Sequence, residues 1–214
     1  MNVTPARGRA ALATLATLST LLCGALAGCG GATFSAGDQG FVSGDGKVTV
    51  LDKADRRPPD GQVAGRTVEG RRVSLADLRG RVVVMPVWGS WCGPCRAEAP
   101  MLAAAARDLR HDGVAFLGID SRDPDTANVR RFIDRFRIPY DSIHDPDGTT
   151  LLAFHGTLPP MTIPSFVFID AQGRIAGRAL DTVDRSTLYG VVEDVMGHPL
   201  KGGADAAGSK GTAS

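Results

Sequence analysis

Trp91-Cys92-Gly93-Pro94-Cys95 lies between an apolar run, Val82 to Val87, and a run of helix-forming residues that extends toward Arg110. This order predicts a buried strand, a turn, and a helix that begins near Gly93. Two cysteines separated by two residues at such a turn are typical of a site that exchanges thiols and disulfides. The stretch therefore predicts redox chemistry.

The place of each cysteine relative to the predicted helix indicates its role. The free N–H groups and the positive dipole end of a helix N-terminus favour an anion, so the pKa of Cys92 is expected below the roughly 8.5 of a free cysteine. We expect an exposed Cys92 thiolate as the attacking nucleophile, and a more shielded Cys95 that resolves the mixed disulfide. A crosslink across so short a loop adds little stability, which favours a redox switch.

A structural disulfide and half of a zinc site are the alternatives for this cysteine pair. Structural zinc is usually held by four cysteine or histidine ligands. The sequence has no second cysteine pair of this spacing, and no two of its histidines lie close together; they are His111, His144, His155 and His198. We therefore predict neither a metal site nor a cofactor, only a redox-active disulfide between Cys92 and Cys95.

Length and composition indicate one globular domain with tails. The chain has 214 residues, of which 43% are hydrophobic and 22% charged, enough for a substantial core. The formal net charge is +1. A balance this near neutrality gives no electrostatic footprint for a polyanion, so nucleic acid is excluded as a partner.

The two ends of the chain differ in composition from the centre. Residues 1–28 are predicted to be a signal peptide, with two arginines before an apolar segment and then small residues. Leu26-Ala27-Gly28-Cys29 resembles the lipobox of bacterial lipoproteins, so lipid attachment at Cys29 is expected, with an uncleaved signal anchor as the alternative. Either places the domain on the outer face of the cytoplasmic membrane. Glycine-rich residues 29–47 are predicted to be a flexible tether, and residues 200–214 a disordered tail.

Residues 48–199 show the alternation of strands and helices typical of an α/β domain. Segments that end at turn residues are predicted as strands: Val48 to Leu51, Gln62 to Val68, Arg72 to Leu75, Val82 to Val87, Val114 to Ile119, Phe166 to Ile169 and Arg174 to Arg178. The second and third should form a hairpin, and so should the last two. The prediction is a mixed sheet flanked by helices.

Prolines and charged residues give more local expectations. Pro86 cannot donate to a sheet ladder, so it should mark the end of its strand or a locally unpaired position. Pro100 should kink the helix that follows the cysteines. Asp123 and Pro124 are expected to be the cap and first-turn proline of the next helix. Three arginines should form the solvated face of that helix: Arg130, Arg131 and Arg135.

With these pieces in place, the chain from Val48 to Met196 resembles the TlpA-like family. These are membrane-tethered thiol-disulfide oxidoreductases of the bacterial envelope that include cytochrome c maturation reductants. The resemblance rests on three stretches: Val87 to Pro100, the Ile163-Pro164 step before a buried strand, and an extra helix and strand within Asp120 to Pro146. It implies a thioredoxin-like fold with an N-terminal β-hairpin and an inserted αβ unit.

The resemblance also implies roles for single residues. Pro164 matches a cis-proline that faces the cysteines, and Ile163 would then offer its backbone to a substrate peptide as an added strand. Glu98 matches an acid close to the thiols, which would oppose thiolate formation or relay a proton; the alternative is a helix first-turn acid stabilised by the dipole. Trp91 is expected to contact substrate, and Trp88 to lie in the core. Where many relatives carry Asn or Asp, this chain has Pro86.

The leading prediction is a protein disulfide reductase recharged by a membrane thiol electron donor, with protein disulfides, including apocytochrome c, as substrates. Disulfide oxidation or isomerisation is the first alternative. A thiol peroxidase is the next alternative, because such enzymes share the fold. Their sequences carry threonine three residues before the reactive cysteine, whereas this chain has Gly89 at that position. A copper metallochaperone using both cysteines and Met161 is the last alternative.

Overall fold

The computed structural model describes residues 46–159 and 161–201. In this part, the chain forms nine strands: β1 (Val48–Val50), β2 (Ala64–Arg66), β3 (Arg72–Ser74), β4 (Val83–Trp88), β5 (Ala115–Phe116), β6 (Gly118–Ser121), β7 (Ser142–Asp145), β8 (Ser165–Ile169) and β9 (Ile175–Leu180). It also forms the helices α1 (Gly93–Leu109), α2 (Thr126–Phe136) and α3 (Arg185–Met196). Three 3-10 turns lie at Leu75–Leu78, Arg110–Asp112 and Thr150–Phe154.

A mixed sheet with the strand order β1-β9-β8-β4-β6-β7 forms the centre of the fold, and β5 also pairs with β4. Strand β4 runs antiparallel to β8 and parallel to β5 and β6. All six residues of β4 are buried, because the sheet is covered on both faces. The prediction of a central strand that leads into the cysteine turn is confirmed.

The two faces of the sheet pack against different elements. Alternate side chains of a strand point to opposite faces, so Val84 and Phe166 pack with residues of α1 and α3, whereas Val83 and Val167 pack with the 3-10 turns. A third apolar cluster joins α2 to the end of β4 and to the cysteines. The predicted mixed sheet flanked by helices is therefore confirmed.

The N-terminal hairpin is confirmed as well. Strands β2 and β3 pair antiparallel as a separate two-stranded sheet, and Gly70 has a φ of +84° in the turn between them. A positive φ suits glycine, which has no Cβ to clash with the backbone. Strand β1 instead joins the edge of the main sheet, antiparallel to β9.

Pro86 lies in the middle of β4, so the expectation that it ends the strand is wrong and the alternative of a locally unpaired position is correct. On one side Pro86 pairs in register with Phe166 of β8. On the other side the ladder is interrupted at Leu117, between β5 and β6. Because proline has no N–H to donate there, the single strand predicted over Val114 to Ile119 is two short strands.

The predicted start of α2 is wrong by two residues. Its N-cap is Asp125, whose Oδ1 accepts the N–H of Ala127 at 2.9 Å. Asp123 is buried instead, and its carboxylate accepts the backbone N–H of Ser90. Pro100 lies inside α1 as predicted, and the kink of the helix at that point remains a prediction.

Several predictions concern residues outside the described ranges. The signal peptide (residues 1–28), lipid attachment at Cys29, nearly all of the tether (residues 29–47) and most of the tail (residues 200–214) fall there. The domain boundaries at residues 48 and 199 remain predictions. Within residues 46–159 and 161–201, none of the helices has the length and apolarity needed to span a bilayer.

Candidate active site

The turn between β4 and α1 holds the two cysteines at the start of the helix. Cys92 is the N-cap of α1, and Gly93 and Pro94 are its first two helical residues. A proline there loses nothing, since the first N–H groups of a helix have no partner within it. Cys92 and Cys95 form a disulfide, and the N–H of Cys95 donates to Sγ of Cys92 at 3.1 Å. The sequence placed both cysteines correctly.

The expected exposure of Cys92 is wrong for this disulfide form. Cys92 is 4% exposed and Cys95 is 3% exposed, so burial does not distinguish them. Both belong to an apolar cluster with Trp88 and Phe132, and Ile163 packs against that cluster. The physical reason is that side chains distant in sequence cover the turn, which the local pattern does not reveal.

Ile163 and Pro164 are joined by a cis peptide bond, as predicted. Pro164 is buried and lines a small cavity together with Cys95. Its carbonyl accepts the N–H of Asp181 at 3.0 Å. By contrast, the backbone N–H and C=O of Ile163 have no hydrogen-bond partner among the described residues. Ile163 thus offers a donor and an acceptor beside the disulfide.

Glu98 is buried on α1, one turn beyond Cys95, and is only 6% exposed. Its Oε1 accepts the N–H of Val183 at 2.7 Å, and Oε2 has no hydrogen-bond partner in the described part of the chain. Burial raises the pKa of Glu98 to about 7, although the Val183 N–H favours the ionised form. The alternative of a dipole-stabilised acid in the first turn is wrong, because the carboxyl is removed from water.

Glu98 and Cys95 line the same small cavity. The lining of this cavity includes Cys95, Glu98 and Pro164, and its volume is about 10 Å³. That volume is at the lower limit for one water molecule. Glu98 and Cys95 thus line one small cavity, and no hydrogen bond joins their side chains among the described residues.

The two tryptophans of the turn have opposite environments, as the sequence predicts. Trp88 is 4% exposed and stacks on Phe132 with ring centroids 4.3 Å apart. Trp91 is 56% exposed, and its Nε1 donates to the carbonyl of Arg122 at 3.1 Å. Trp88 is a core residue, whereas Trp91 presents an indole to solvent next to Cys92.

Asp123 is a residue of this region that the sequence interpretation missed. It is 2% exposed, and its Oδ2 accepts the N–H of Ser90 at 2.8 Å. The segment after β6 thus holds the turn after β4 at two points, through Asp123 and through the Arg122 carbonyl. The sequence could have indicated this contact, because adjacent parallel strands end at the same edge of a sheet and the turns that follow them meet there.

Asp120 and His144 form a second buried acid site that was also missed. They face each other in register on the parallel strands β6 and β7, with Oδ2 of Asp120 2.7 Å from Nδ1 of His144. Asp120 is fully buried, and burial raises its pKa to about 7 against the opposing effect of His144. Its Oδ1 lacks a partner among the described residues.

Two of the alternative functions can be compared with this geometry. A Cβ added to Gly89 would lie 2.6 Å from Nε1 of Trp91, so the threonine of the peroxidase pattern would displace the indole from its bond to Arg122. Met161, the third ligand suggested for copper, is 76% exposed. Within the described ranges no three His, Cys, Asp or Glu side chains are grouped to hold a metal ion.

The family model described as AhpC/TSA matches residues 56–178, which is more than half of the chain. The chain belongs to the AhpC/TSA family. Among curated relatives, the thiol-disulfide oxidoreductase ResA of Bacillus anthracis is 25% identical over 128 residues, which is 60% of this chain and 71% of that protein.

Solved structures of the family's fold are more similar. A DsbF homologue from Corynebacterium diphtheriae is 30% identical over 73% of this chain and 98% of its own, with a TM-score of 0.65. A secreted thiol-disulfide isomerase from Corynebacterium glutamicum is 31% identical over 72% of this chain and 93% of its own, with a TM-score of 0.64. The prediction of a thioredoxin-like thiol-disulfide oxidoreductase is confirmed.

Proposed function

We propose that this AhpC/TSA family member is an extracytoplasmic protein disulfide reductase in which Cys92 attacks and Cys95 resolves. The observation that carries the proposal is the position of Cys92 as the N-cap of α1, with its sulfur receiving the N–H of Cys95. In the reduced protein the same donor and the helix dipole would stabilise a thiolate at Cys92. Cys95 is already placed to close the disulfide.

The reaction transfers two electrons and two protons to the target. The Cys92 thiolate attacks one sulfur of the target disulfide, whose S–S bond breaks as a mixed disulfide forms; the departing target thiolate takes up a proton. Cys95 then loses its proton and attacks Sγ of Cys92. The mixed disulfide breaks, the second target thiolate is protonated, and the Cys92–Cys95 disulfide remains. A membrane dithiol donor would return two electrons to it.

Glu98 is the proposed proton acceptor for Cys95. A general base works best with a pKa near the pH at which it operates, and the pKa of Glu98 is about 7. Position 86 cannot supply a proton acceptor, because this chain has proline where many relatives have Asn or Asp. Glu98 and Cys95 line the same small cavity, which supports proton transfer between them.

The substrate would bind on both sides of the disulfide. The backbone N–H and C=O of Ile163 can pair with an extended target segment, which adds a short strand beside the cis-Pro164 loop. The exposed indole of Trp91 would cover the same segment from the other side. Apocytochrome c is one candidate substrate, since the resemblance to the TlpA-like family includes cytochrome c maturation reductants.

Two features of the sequence support an extracytoplasmic location with a lipid anchor. Residues 1–28 have the pattern of an export signal, and Cys29 follows a lipobox-like triplet. The similar structure from Corynebacterium glutamicum is described as a secreted protein. Mass spectrometry of the membrane fraction should find Cys29 as a lipidated N-terminus. A soluble or signal-anchored mature protein would contradict the lipid anchor.

Disulfide isomerisation is the second candidate, because the Corynebacterium glutamicum structure carries that description. The two functions differ in reduction potential. A reductase should equilibrate near the thioredoxin end of the range, about −270 mV, and reduce insulin disulfides stoichiometrically. A potential nearer −120 mV, about that of a strong oxidant, would contradict the reductase and favour isomerisation or oxidation.

A further inference from the structure

A groove of about 750 Å³ lies beside the cysteine turn. One part of its lining is Ser90 and Trp91, the two residues that precede Cys92. Three arginines also line it, Arg96 from α1 and Arg131 and Arg135 from α2. The groove is therefore continuous with the surface that a target disulfide must approach.

None of these three arginines forms an ion pair with a carboxylate in the described part of the chain. Arg96 donates to the carbonyl of Ser90 at 3.2 Å, and Arg131 donates to the side-chain oxygen of Asn128. Both acceptors are neutral. The guanidinium charges in this groove are thus not compensated by their own hydrogen bonds.

Two of these guanidinium groups contact the same aromatic ring, that of Phe136. The guanidinium carbon of Arg96 lies 5.9 Å from the centroid of the Phe136 ring, and that of Arg135 lies 5.7 Å from it. Arg131 is one helical turn before Arg135, so the two lie on one face of α2. Cations from two helices thus contact one ring beside the groove, and an anion bound in the groove would be attracted to the charges of both helices.

The groove also contains two carboxylates, and both are occupied by N–H donors. Asp123 accepts the N–H of Ser90 and is buried. Asp125 accepts the N–H of Ala127 at 2.9 Å and the side-chain amide of Asn128 at 2.8 Å as the cap of α2. The groove lining contains three arginines and two aspartates, so its formal net charge is positive.

We propose that this groove binds an acidic segment of the disulfide substrate, with Asp or Glu side chains a few residues from the attacked cysteine. Charge complementarity selects the occupant: carboxylates form bidentate, charge-assisted hydrogen bonds with guanidinium groups. The groove has room for several side chains. The inference rests on the proposed function, because it names the kind of polypeptide on which Cys92 acts.

The test uses three synthetic peptides that carry the same disulfide and differ only in flanking residues, which are Glu, Gln or Lys. The reduced protein is mixed with each peptide, and its oxidation is followed by tryptophan fluorescence. At low ionic strength the Glu peptide should react about tenfold faster than the Gln peptide, since complementary charge accelerates association. The ratio should fall toward one in about 1 M salt.

Variants assign the preference to the groove. The double substitution Arg131→Gln with Arg135→Gln should bring the ratio of the Glu and Gln rates to within about twofold of one, since the complementary charge is lost. Arg131→Glu with Arg135→Glu should reverse the preference in favour of the Lys peptide. Arg110→Gln is the matched control, because it removes an exposed arginine that follows the last residue of α1 and does not line the groove. It should leave the ratio unchanged.

The outcomes separate this inference from the proposed function. If the wild-type protein reduces all three peptides at the same rate, or if Arg110→Gln lowers the ratio as much as the groove variants, the acidic-segment inference is overturned and the reductase remains. If none of the peptides is reduced in a reaction that depends on Cys92, the proposed function fails and the inference fails with it.

Discussion

Cys92 and Cys95 are almost equally buried, yet the regions around them are unlike. Cys92 caps α1 beside an exposed indole and a groove lined by arginines. Cys95 borders a small cavity that Glu98 also lines. Under the proposed mechanism, the two sulfurs therefore differ in reactivity through charge and hydrogen bonding, since their exposure to solvent is nearly equal.

Each environment favours a different protonation state. In the reduced protein, the N–H of Cys95 and the helix dipole would stabilise negative charge at Cys92. At Cys95 a neighbouring carboxylate opposes a second anion, so its proton must be removed when the mixed disulfide is resolved. These environments support the proposed order, in which Cys92 attacks and Cys95 resolves.

Replacing either cysteine with serine should have the largest effect on catalytic activity. Cys92→Ser should lower insulin reduction on the order of a thousandfold or more, because the attacking group is lost. Cys95→Ser should also stop turnover but accumulate a mixed disulfide on Cys92, detectable by mass spectrometry. A mixed disulfide that forms on Cys95 in the Cys92→Ser protein would reverse the assignment.

Glu98→Gln should specifically slow the Cys95 side of the reaction. In the wild-type protein, resolution of the mixed disulfide should accelerate as the pH rises through about 7, the pKa of Glu98. Glu98→Gln should lose this inflection and slow resolution about a hundredfold, as expected for removal of a general base. Rapid-mixing kinetics with a preformed mixed disulfide measures the step.

Asp120→Asn is the matched control for this pH profile. Asp120 is also buried and its pKa is also about 7, but its partner is His144 and the small cavity beside Cys95 does not include it. The inflection in the resolution rate should survive in this variant. Loss of the inflection in Asp120→Asn, with its retention in Glu98→Gln, would contradict the role of Glu98.

The raised pKa of Glu98 also predicts a pH-dependent stability. The folded protein binds the Glu98 proton more tightly than the unfolded chain, so the contribution is complete below about pH 4.5 and is lost as the pH rises through about 7. Relative to wild type, Glu98→Gln should therefore gain about 3 kcal/mol in free energy of unfolding between about pH 4.5 and 8. Urea unfolding at several pH values measures the difference; parallel curves would contradict it.

A smaller loss of activity is expected when the contact between the turn after β6 and the cysteine turn is weakened. Asp123→Ala removes the acceptor for the Ser90 N–H, and Asp123→Asn keeps an oxygen but removes the charge. Insulin reduction should fall about fivefold in Asp123→Ala, equivalent to about 1 kcal/mol for one hydrogen bond, and less in Asp123→Asn. Equal rates in all three proteins would show that this contact does not position Cys92.

Local sequence patterns were sufficient for much of the fold and for the centre of the site. The apolar run into Cys92, the helix after it and the β2–β3 hairpin follow from periodicity and turn residues. The cis bond at Pro164 and the proximity of Glu98 to the cysteines came from resemblance to a family, because a proline or a helical acid alone does not indicate either.

The remaining features depend on contacts between distant residues. The cover over Cys92 comes from side chains such as Phe132, forty residues later in the sequence. Asp123 and Asp125 are equivalent candidates for a helix cap until the Ser90 N–H binds one of them. The split of the strand opposite Pro86 likewise requires the register of three strands. Such features follow from packing, which a single sequence does not specify.

The pH dependence of Cys92 alkylation in the reduced Cys95→Ser protein tests the asymmetry of the two sulfurs most directly. A small reagent such as iodoacetamide reports the thiolate fraction through its rate. We predict a single midpoint at least about one unit below the free-cysteine pKa of about 8.5. A midpoint at or above that value, or a thiol that does not react, would contradict the role of Cys92 as the attacking group.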